Sequence, residues 1–302
     1  MSNLQGVAVQ QVRRQRVVLL RQLHTRHARR LVARSTLFVG LCVAAAIVLL
    51  PFAWMLSTSL KTAGDVFLQP PRWIPREIHW QNYVEALTAI NFGQMYLNTT
   101  LITVSATVGQ VLSASLVGFG FARLRAPGRD LLFMLLVSTM LLPEQVTMIP
   151  QFIIFRSLGL VDTWAPLIVP SWLGVYAFYI FLCRQFFMTL PRELDDAATI
   201  DGASYFTIYW RIILPLSKPV LASVAVFSFL YRWNDFLHPV IYLTDQQKYT
   251  VSLGLALLRD YNGIQWHWLM AASIVSMLPC LAVFAIAQRL FVRGIATSGL
   301  KG

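Results

Sequence analysis

Long apolar runs alternate with short polar segments along most of this chain. Each run has about the 20 residues that an α-helix needs to cross a bilayer, and charges gather between the runs. The runs cover residues 35–60, 95–122, 131–155, 164–182, 219–242 and 268–291. The pattern predicts an all-α membrane protein with six transmembrane helices.

The same pattern divides the chain into four segments. A basic tail of residues 1–34 precedes a first helix and an external loop, residues 35–94. A core of residues 95–292 then contains the other five helices, and residues 293–302 form a terminal tail.

Basic residues set the predicted orientation. The 302 residues carry a net charge of +12, and eight arginines with no acid lie in residues 1–34. Most of the 25 basic residues fall on one side of the six predicted helices, which by the positive-inside rule places both termini in the cytoplasm. Because these residues cluster at the ends of apolar runs, we do not expect a nucleic-acid partner.

The sequence offers no catalytic or metal-binding constellation. No GxxxxGK[ST] segment is present to bind a nucleotide phosphate, and the three cysteines lie scattered within apolar runs. Acidic residues within the runs have no histidine or serine at a telling spacing. We therefore expect neither an enzyme nor a metalloprotein.

Residues 191–219, PRELDDAATIDGASYFTIYWRIILPLSKP, form the longest polar passage in the second half of the chain. Asp201 and Gly202 are a turn signal, so two short helices should meet there, the second ending near Pro215. Ala197 and Ala198 offer a small-residue surface on the first helix. From the residues alone, this hairpin is either a solvated connector or a docking site for another protein.

The hairpin resembles the EAA loop of bacterial ABC importer permeases. That pattern is Glu-Ala-Ala, three residues, Gly, nine residues, then Ile-x-Leu-Pro. Asp196, Ala197, Ala198, Gly202, Ile212, Leu214 and Pro215 fall at those intervals. One departure is Asp196, which is one methylene shorter than the usual Glu.

Flanking segments resemble the carbohydrate-uptake branch, in particular the smaller permease of maltose-type heterodimers. They are TAGDVFLQPPRWIP at 62–75, WQNYVEAL at 80–87 and QRLFVRGIATSGLKG at 288–302. The resemblance covers roughly residues 36–302 and implies a type I ABC importer transmembrane domain in the bacterial inner membrane.

Partners follow from the resemblance as expectations. A second homologous permease, two ATPase subunits and an extracytoplasmic solute-binding protein should assemble with this chain in the bilayer. ATP and Mg²⁺ would bind to the ATPases, so no cofactor is expected on this chain. The cargo would be a small molecule, a sugar or an oligosaccharide, with glycerol-3-phosphate or a related polyol as the alternative. A secondary transporter is a weaker alternative, because no inverted repeat is visible.

Two sets of residues would contact the ATPases in the resembled family. The coupling set lies in the hairpin: Glu193, Asp196, Ala197, Ala198, Asp201, Gly202, Ile212, Leu214 and Pro215. The second set lies in the tail: Ser298, Gly299, Leu300, Lys301 and Gly302. Without the resemblance, this tail would read as a frayed terminus.

A third set consists of polar residues inside the apolar runs: Glu144, Arg232, Asn234 and Asp235. Polar groups at membrane depth are costly and usually face the bundle interior or a pathway. Arg232 and Asp235 lie three residues apart and would either neutralise each other or line a translocation path. Glu144, within LLPEQVTMIP, would either line that path or mark a break in the helix near the outer surface.

Overall fold

The computed structural model describes residues 34–259 and 265–298, with side chains as far as residue 288. This part of the chain is nearly all helical and contains no strand. The basic tail and Gly299 to Gly302, predicted to contact the ATPase, lie outside the described residues.

The helices run in the following order. They are α1 (Arg34–Ser59), α2 (Gln81–Ala89), α3 (Phe92–Arg123), α4 (Arg129–Ser138), α5 (Glu144–Ser157), α6 (Ala165–Trp172), α7 (Ala177–Thr189), α8 (Glu193–Ile200), α9 (Tyr205–Leu216), α10 (Lys218–Trp233), α11 (Leu237–Tyr242), α12 (Val251–Leu257) and α13 (Trp266–Ser298). One-turn 3₁₀ helices occur at Ala63–Asp65, Thr139–Leu141 and Gln246–Lys248.

Four helices of the described chain are long and apolar enough to cross a membrane, and the number rises to six if two bent pairs count as spans. The four are α1, α3, the α6–α7 stretch and α13. The described residues fall into two units that meet within α1, one ending at Ser57 and the other beginning at Thr58. The side chains of α1 are exposed through residue 53, as suits a helix in lipid.

Helix α3 is the central helix of the second unit and packs against α6, α7 and α10. Small residues allow this close approach. A Cβ atom at Gly118 would lie 2.8 Å from the Cβ of Cys183, and one at Gly109 would lie 2.4 Å from the Trp172 ring. Substituting either glycine would therefore push α3 away from its neighbours.

The two ends of α3 mark two levels of the molecule. Near its start, the Asn98 amide donates to the carbonyl oxygens of Gln247 and Tyr249, at 2.8 and 3.0 Å. At its end, Arg123 contacts the hairpin. These positions are about 38 Å apart along a helix, which exceeds the ~30 Å hydrocarbon layer. Polar contacts thus occur at two levels whose separation exceeds the thickness of that layer.

Two of the predicted runs break at polar residues. The break at Glu144 is one of the two outcomes expected there, whereas the predicted continuous helix over 219–242 is wrong. The run 131–155 consists of α4 and α5, whose axes differ by 103°, and α5 begins at Glu144 directly after Pro143. The run 219–242 ends as α10 at Trp233 and restarts as α11 at Leu237. Proline lacks the backbone N–H that a helix needs. Polar side chains can hydrogen-bond to nearby backbone groups in place of their helical partners.

Other boundaries also differ from the predicted ones. The run 164–182 breaks at Gly174, which has φ +68°, and its second half α7 continues past Arg184 to Thr189. Helices α2 and α12 lie in the segments between apolar runs, residues 61–94 and 243–267, where no helix was predicted. Helix α13 extends to Ser298, so the predicted tail begins as helix.

Candidate functional site

The hairpin of residues 191–219 consists of α8 and α9, joined by a turn at Gly202. Gly202 has φ +78°, in the left-handed region that favours glycine. The amides of Gly202 and Ala203 donate to the carbonyls of Thr199 and Ala198 at 3.0 and 2.9 Å, which closes the end of α8. Ser204 begins α9 by accepting a hydrogen bond from the Thr207 amide.

One face of α8 is buried and the other is exposed. Ala198 is 9% exposed and belongs to the hydrophobic core, so it is not part of a docking surface as predicted. Ala197 and the acidic residues Glu193, Asp196 and Asp201 are exposed. Ile200 is 86% exposed. The face open to a partner therefore combines acidic side chains with an apolar one.

Three of the predicted coupling residues lie on α9, the second arm of the hairpin. Ile212 and Leu214 are partly buried and pack against the same core as Ala198. Pro215 is exposed one residue before α9 ends at Leu216, close to its predicted end. Ile212 and Leu214 therefore hold α9 on the bundle, and only Pro215 of the three is open to a partner.

An ion pair ties α8 to the end of α3. Arg123 Nε lies 3.3 Å from Asp195 Oδ2, and the two side chains are 3% and 19% exposed. Arg123 also donates to the Leu190 carbonyl at 3.0 Å. Burial raises the pKa of the Asp195 carboxyl, and the charge of Arg123 offsets this only in part. Nothing in the sequence reveals this pair, because the two residues lie 72 positions apart.

A second cluster occupies the break between α10 and α11. The Tyr231 hydroxyl donates to Glu144 Oε1 at 2.6 Å, and His238 Nε2 lies 3.3 Å from the same oxygen. His238 Nδ1 lies 2.9 Å from Asp235 Oδ2. We call Glu144, Tyr231, Asp235 and His238 the polar cluster.

His238 is the centre of the polar cluster and is the residue that sequence reasoning missed. Its side chain is 10% exposed and that of Asp235 is 9% exposed. Its two ring nitrogens each lie next to a carboxylate oxygen, Nδ1 beside Asp235 and Nε2 beside Glu144, so the imidazole bridges two acidic side chains. The Asp-x-x-His spacing at 235–238 was the available signal, because residues three apart near a helix start can share a face.

Arg232 does not neutralise Asp235, although the sequence left that pairing open. Its guanidinium donates to the Ser171 hydroxyl at 3.0 Å and to the Tyr176 hydroxyl, and it lies 4.8 Å from the Tyr176 ring centroid. Asp235 pairs with His238 instead. Arg232 is 7% exposed, so it is buried in the bundle by polar and aromatic contacts.

Helix α3 fixes the depth of this region. Ser113 donates to the Ser171 carbonyl at 2.7 Å, and Ser171 in turn accepts from Arg232. Ser113 lies between Asn98 and Arg123, the residues that mark the two ends, and nearly midway. Arg232 and the adjoining break therefore lie close to the middle of the bundle. Asn234, at the break, donates to the Leu230 carbonyl at 2.8 Å.

A third polar group holds segments together near the Asn98 end of α3. Asp162, at φ +59°, accepts from the amides of Thr244 and Asp245 and from Lys248 Nζ, the last at 2.7 Å. The hydrogen bond from Lys248 and those from the two amides lower the pKa of Asp162 well below its usual range. The Asp162 carboxylate therefore joins the residues before α6 to those after α11.

Comparisons with known proteins agree with this architecture. The diacetylchitobiose uptake system permease NgcG of Streptomyces coelicolor is 33% identical over 245 residues, covering 80% of this chain and 81% of that protein. The sn-glycerol-3-phosphate transport system permease UgpE of Yersinia pestis is 36% identical over 243 residues, covering 78% and 86%.

A solved structure shares the fold. One chain of a bacterial ABC transporter involved in the import of the acidic polysaccharide alginate superposes with a TM-score of 0.73 at 24% identity, over 83% of this chain and 93% of that one. The family model for binding-protein-dependent transport system inner membrane components matches residues 110–297, which include the hairpin and the polar cluster. This chain is a member of that family, the permease components of ABC importers.

Proposed function

We propose that this chain is one permease subunit of an ATP-driven importer of a sugar or oligosaccharide and forms half of the translocation path. The observation that carries the proposal is the hairpin. Helix α8 buries Ala198 in the bundle, exposes Asp196 and Ile200, and is tied to α3 by Arg123 and Asp195. A partner that moves α8 would therefore move the long central helix with it.

The proposed assembly follows the family. A second permease completes the path, and a solute-binding protein delivers cargo from outside. Two ATPase subunits hold ATP and Mg²⁺ and dock on the exposed face of α8 in the cytoplasm. Ser298 and the four residues after it remain a predicted second contact with the ATPases. The chain would cross the bacterial inner membrane six times with both termini inside.

Relatives support a sugar or oligosaccharide as the cargo. NgcG is named for diacetylchitobiose uptake, and UgpE for sn-glycerol-3-phosphate. A phosphorylated polyol is thus the second candidate. The feature that favours it is the buried cation Arg232, which donates hydrogen bonds to the uncharged hydroxyls of Ser171 and Tyr176. Titrating the cognate solute-binding protein with diacetylchitobiose and with glycerol-3-phosphate distinguishes the two.

Charge reversal on α8 tests the docking proposal. Asp196 is exposed and should face basic residues of the ATPase, so Asp196→Lys should weaken docking about tenfold, the effect of about 1.4 kcal/mol. The measurement is ATPase co-purification together with substrate imported per ATP hydrolysed. Arg156→Glu, an exposed reversal at the end of α5, is the matched control and should change neither. Wild-type docking and uptake in Asp196→Lys would remove Asp196 from the interface.

The polar cluster provides a separate test of the path. Asp235→Ala and His238→Ala should each lower uptake several-fold without loss of assembly, because each removes one end of the same contact. The double variant should be no worse than either single one, since the two residues act as a unit. Transport assays in vesicles measure this, with Ser223→Ala on α10 as the control. Fully additive losses, or failure to assemble, would contradict a role in the path.

A further inference from the structure

The outer face of α9 carries a surface that the proposed docking of α8 does not use. Phe206 and Trp210 are 68% and 54% exposed, and their rings stack with centroids 6.3 Å apart. Leu216, at the end of the helix, is 47% exposed. Arg211 on α9 and Lys218, the first residue of α10, are also exposed. We call these five residues the aromatic-basic face.

The opposite side of α9 is fixed in the bundle. Ile208 and Ile213 are 1% and 0% exposed, and the Tyr209 hydroxyl lies 2.8 Å from the Ser115 hydroxyl on α3. The Tyr209 ring also lies 5.2 Å from the ring of Phe119. Because one side is held by these contacts, the aromatic-basic face points away from the bundle in a defined direction.

The bend after α9 sets its direction relative to the membrane. The α9 axis differs by 78° from that of α10, with the bend at Ser217. Helix α10 leads from this bend to Trp233 near mid-depth, and α11 continues to Tyr242, whose carbonyl accepts from the Asp162 amide at the other end of the bundle. Since α10 and α11 already make the crossing, α9 runs nearly at right angles to it, along the membrane plane.

Contacts with α3 also set the depth of α9. Tyr209 meets Phe119 and Ser115, four and eight residues before the Arg123 end of α3, which is about 6–12 Å along the helix. A ~30 Å hydrocarbon layer centred on α3 would end about 9 Å from that terminus. Helix α9 therefore lies at the boundary between hydrocarbon and headgroups.

We propose that the aromatic-basic face of α9 lies in the phospholipid headgroup layer and binds anionic lipid. Stacked aromatic rings suit the interface, where one end of the side chain is apolar and the other is wet. Arg211 and Lys218 would reach lipid phosphates, each worth about a fivefold gain in association with an anionic surface. Residues 205–216 contain no acid, whereas α8 exposes Glu193, Asp196 and Asp201. The two arms thus suit different neighbours, a lipid surface for α9 and a basic protein surface for α8.

A photo-crosslinking residue at Phe206 of the full transporter in nanodiscs tests the proposal. Nanodiscs contain phosphatidylcholine with or without an equal share of phosphatidylglycerol. The expected product is a lipid adduct, seen as a mass increase of one lipid, and phosphatidylglycerol should be captured in preference. An adduct of Phe206 with an ATPase or with the second permease would overturn the lipid assignment.

The same probe at Ile200 is the matched control, since that exposed residue lies on the acidic arm. It should capture the ATPase, and its failure to do so would count against ATPase docking and not against the lipid contact. The Arg211→Gln/Lys218→Gln variant should lose the preference for phosphatidylglycerol, up to about fivefold for each charge. Arg156→Gln, which removes one positive charge from α5, should keep it. An unchanged preference in the double variant would contradict binding of anionic lipid.

Discussion

Gly202→Val is expected to weaken ATPase binding about 5–30-fold while leaving the permease folded in the membrane. At φ +78° a residue with a Cβ is strained by about 1–2 kcal/mol, and a β-branched side chain is worse. No atom lies within 4 Å of the position that a Cβ would take, so the strain comes from the backbone alone. Opening the turn relieves this strain but shifts α8 out of alignment with the ATPase. The strain lowers the population of the closed turn by a factor of about 5–30.

Two controls isolate this backbone effect. Gly202→Asn should retain most ATPase binding, because asparagine tolerates the left-handed conformation. Gly120→Val adds the same side chain to α3, where no atom lies within 4 Å and φ is helical, and should have no effect. Co-purification of the ATPase and size-exclusion profiles measure docking and folding separately. Normal ATPase binding by Gly202→Val would show that the turn does not set the docking geometry.

Asp195→Leu should detach the hairpin from the bundle. It leaves the 3% exposed Arg123 side chain without its counter-charge, and breaking a buried ion pair in this way costs about 3–5 kcal/mol. Because Asp195 is itself 19% exposed, we expect the lower end, about 3 kcal/mol. Faster proteolysis near the 200–204 turn and a lower unfolding temperature in detergent would report the loss.

Replacing both partners should reverse most of that damage. Burial raises the pKa of Asp195 in spite of Arg123, which indicates that the pair itself is a poor source of stability. An Arg123→Met/Asp195→Leu variant exchanges it for apolar packing, which is often neutral or stabilising. Asp196→Leu, at the exposed neighbouring position, is the control for the hairpin surface. If the double variant is as unstable as Asp195→Leu, the two residues do not act as a pair.

The apolar runs predicted the positions of the long helices well. Residues 35–60 and 95–122 correspond to α1 and α3 within a few residues, because an unbroken apolar segment of that length has few other stable conformations in a bilayer. The resemblance to importer permeases, carried by Asp196, Gly202 and Pro215, is confirmed by the family match. Prediction failed at Asp235, where a continuous helix was expected and the chain breaks, whereas a break at Glu144 was one of the two outcomes expected there.

The sequence by itself determined an all-helical membrane chain of the importer family and the place of its hairpin turn. Those features depend on local patterns: apolar length, and a glycine where the backbone needs a positive φ. Only the tertiary structure decided that Ala198 faces inward and that Arg123 meets Asp195. It likewise brought His238 between Glu144 and Asp235. These are contacts between distant segments, and they depend on how helices pack, which periodicity within one segment does not contain.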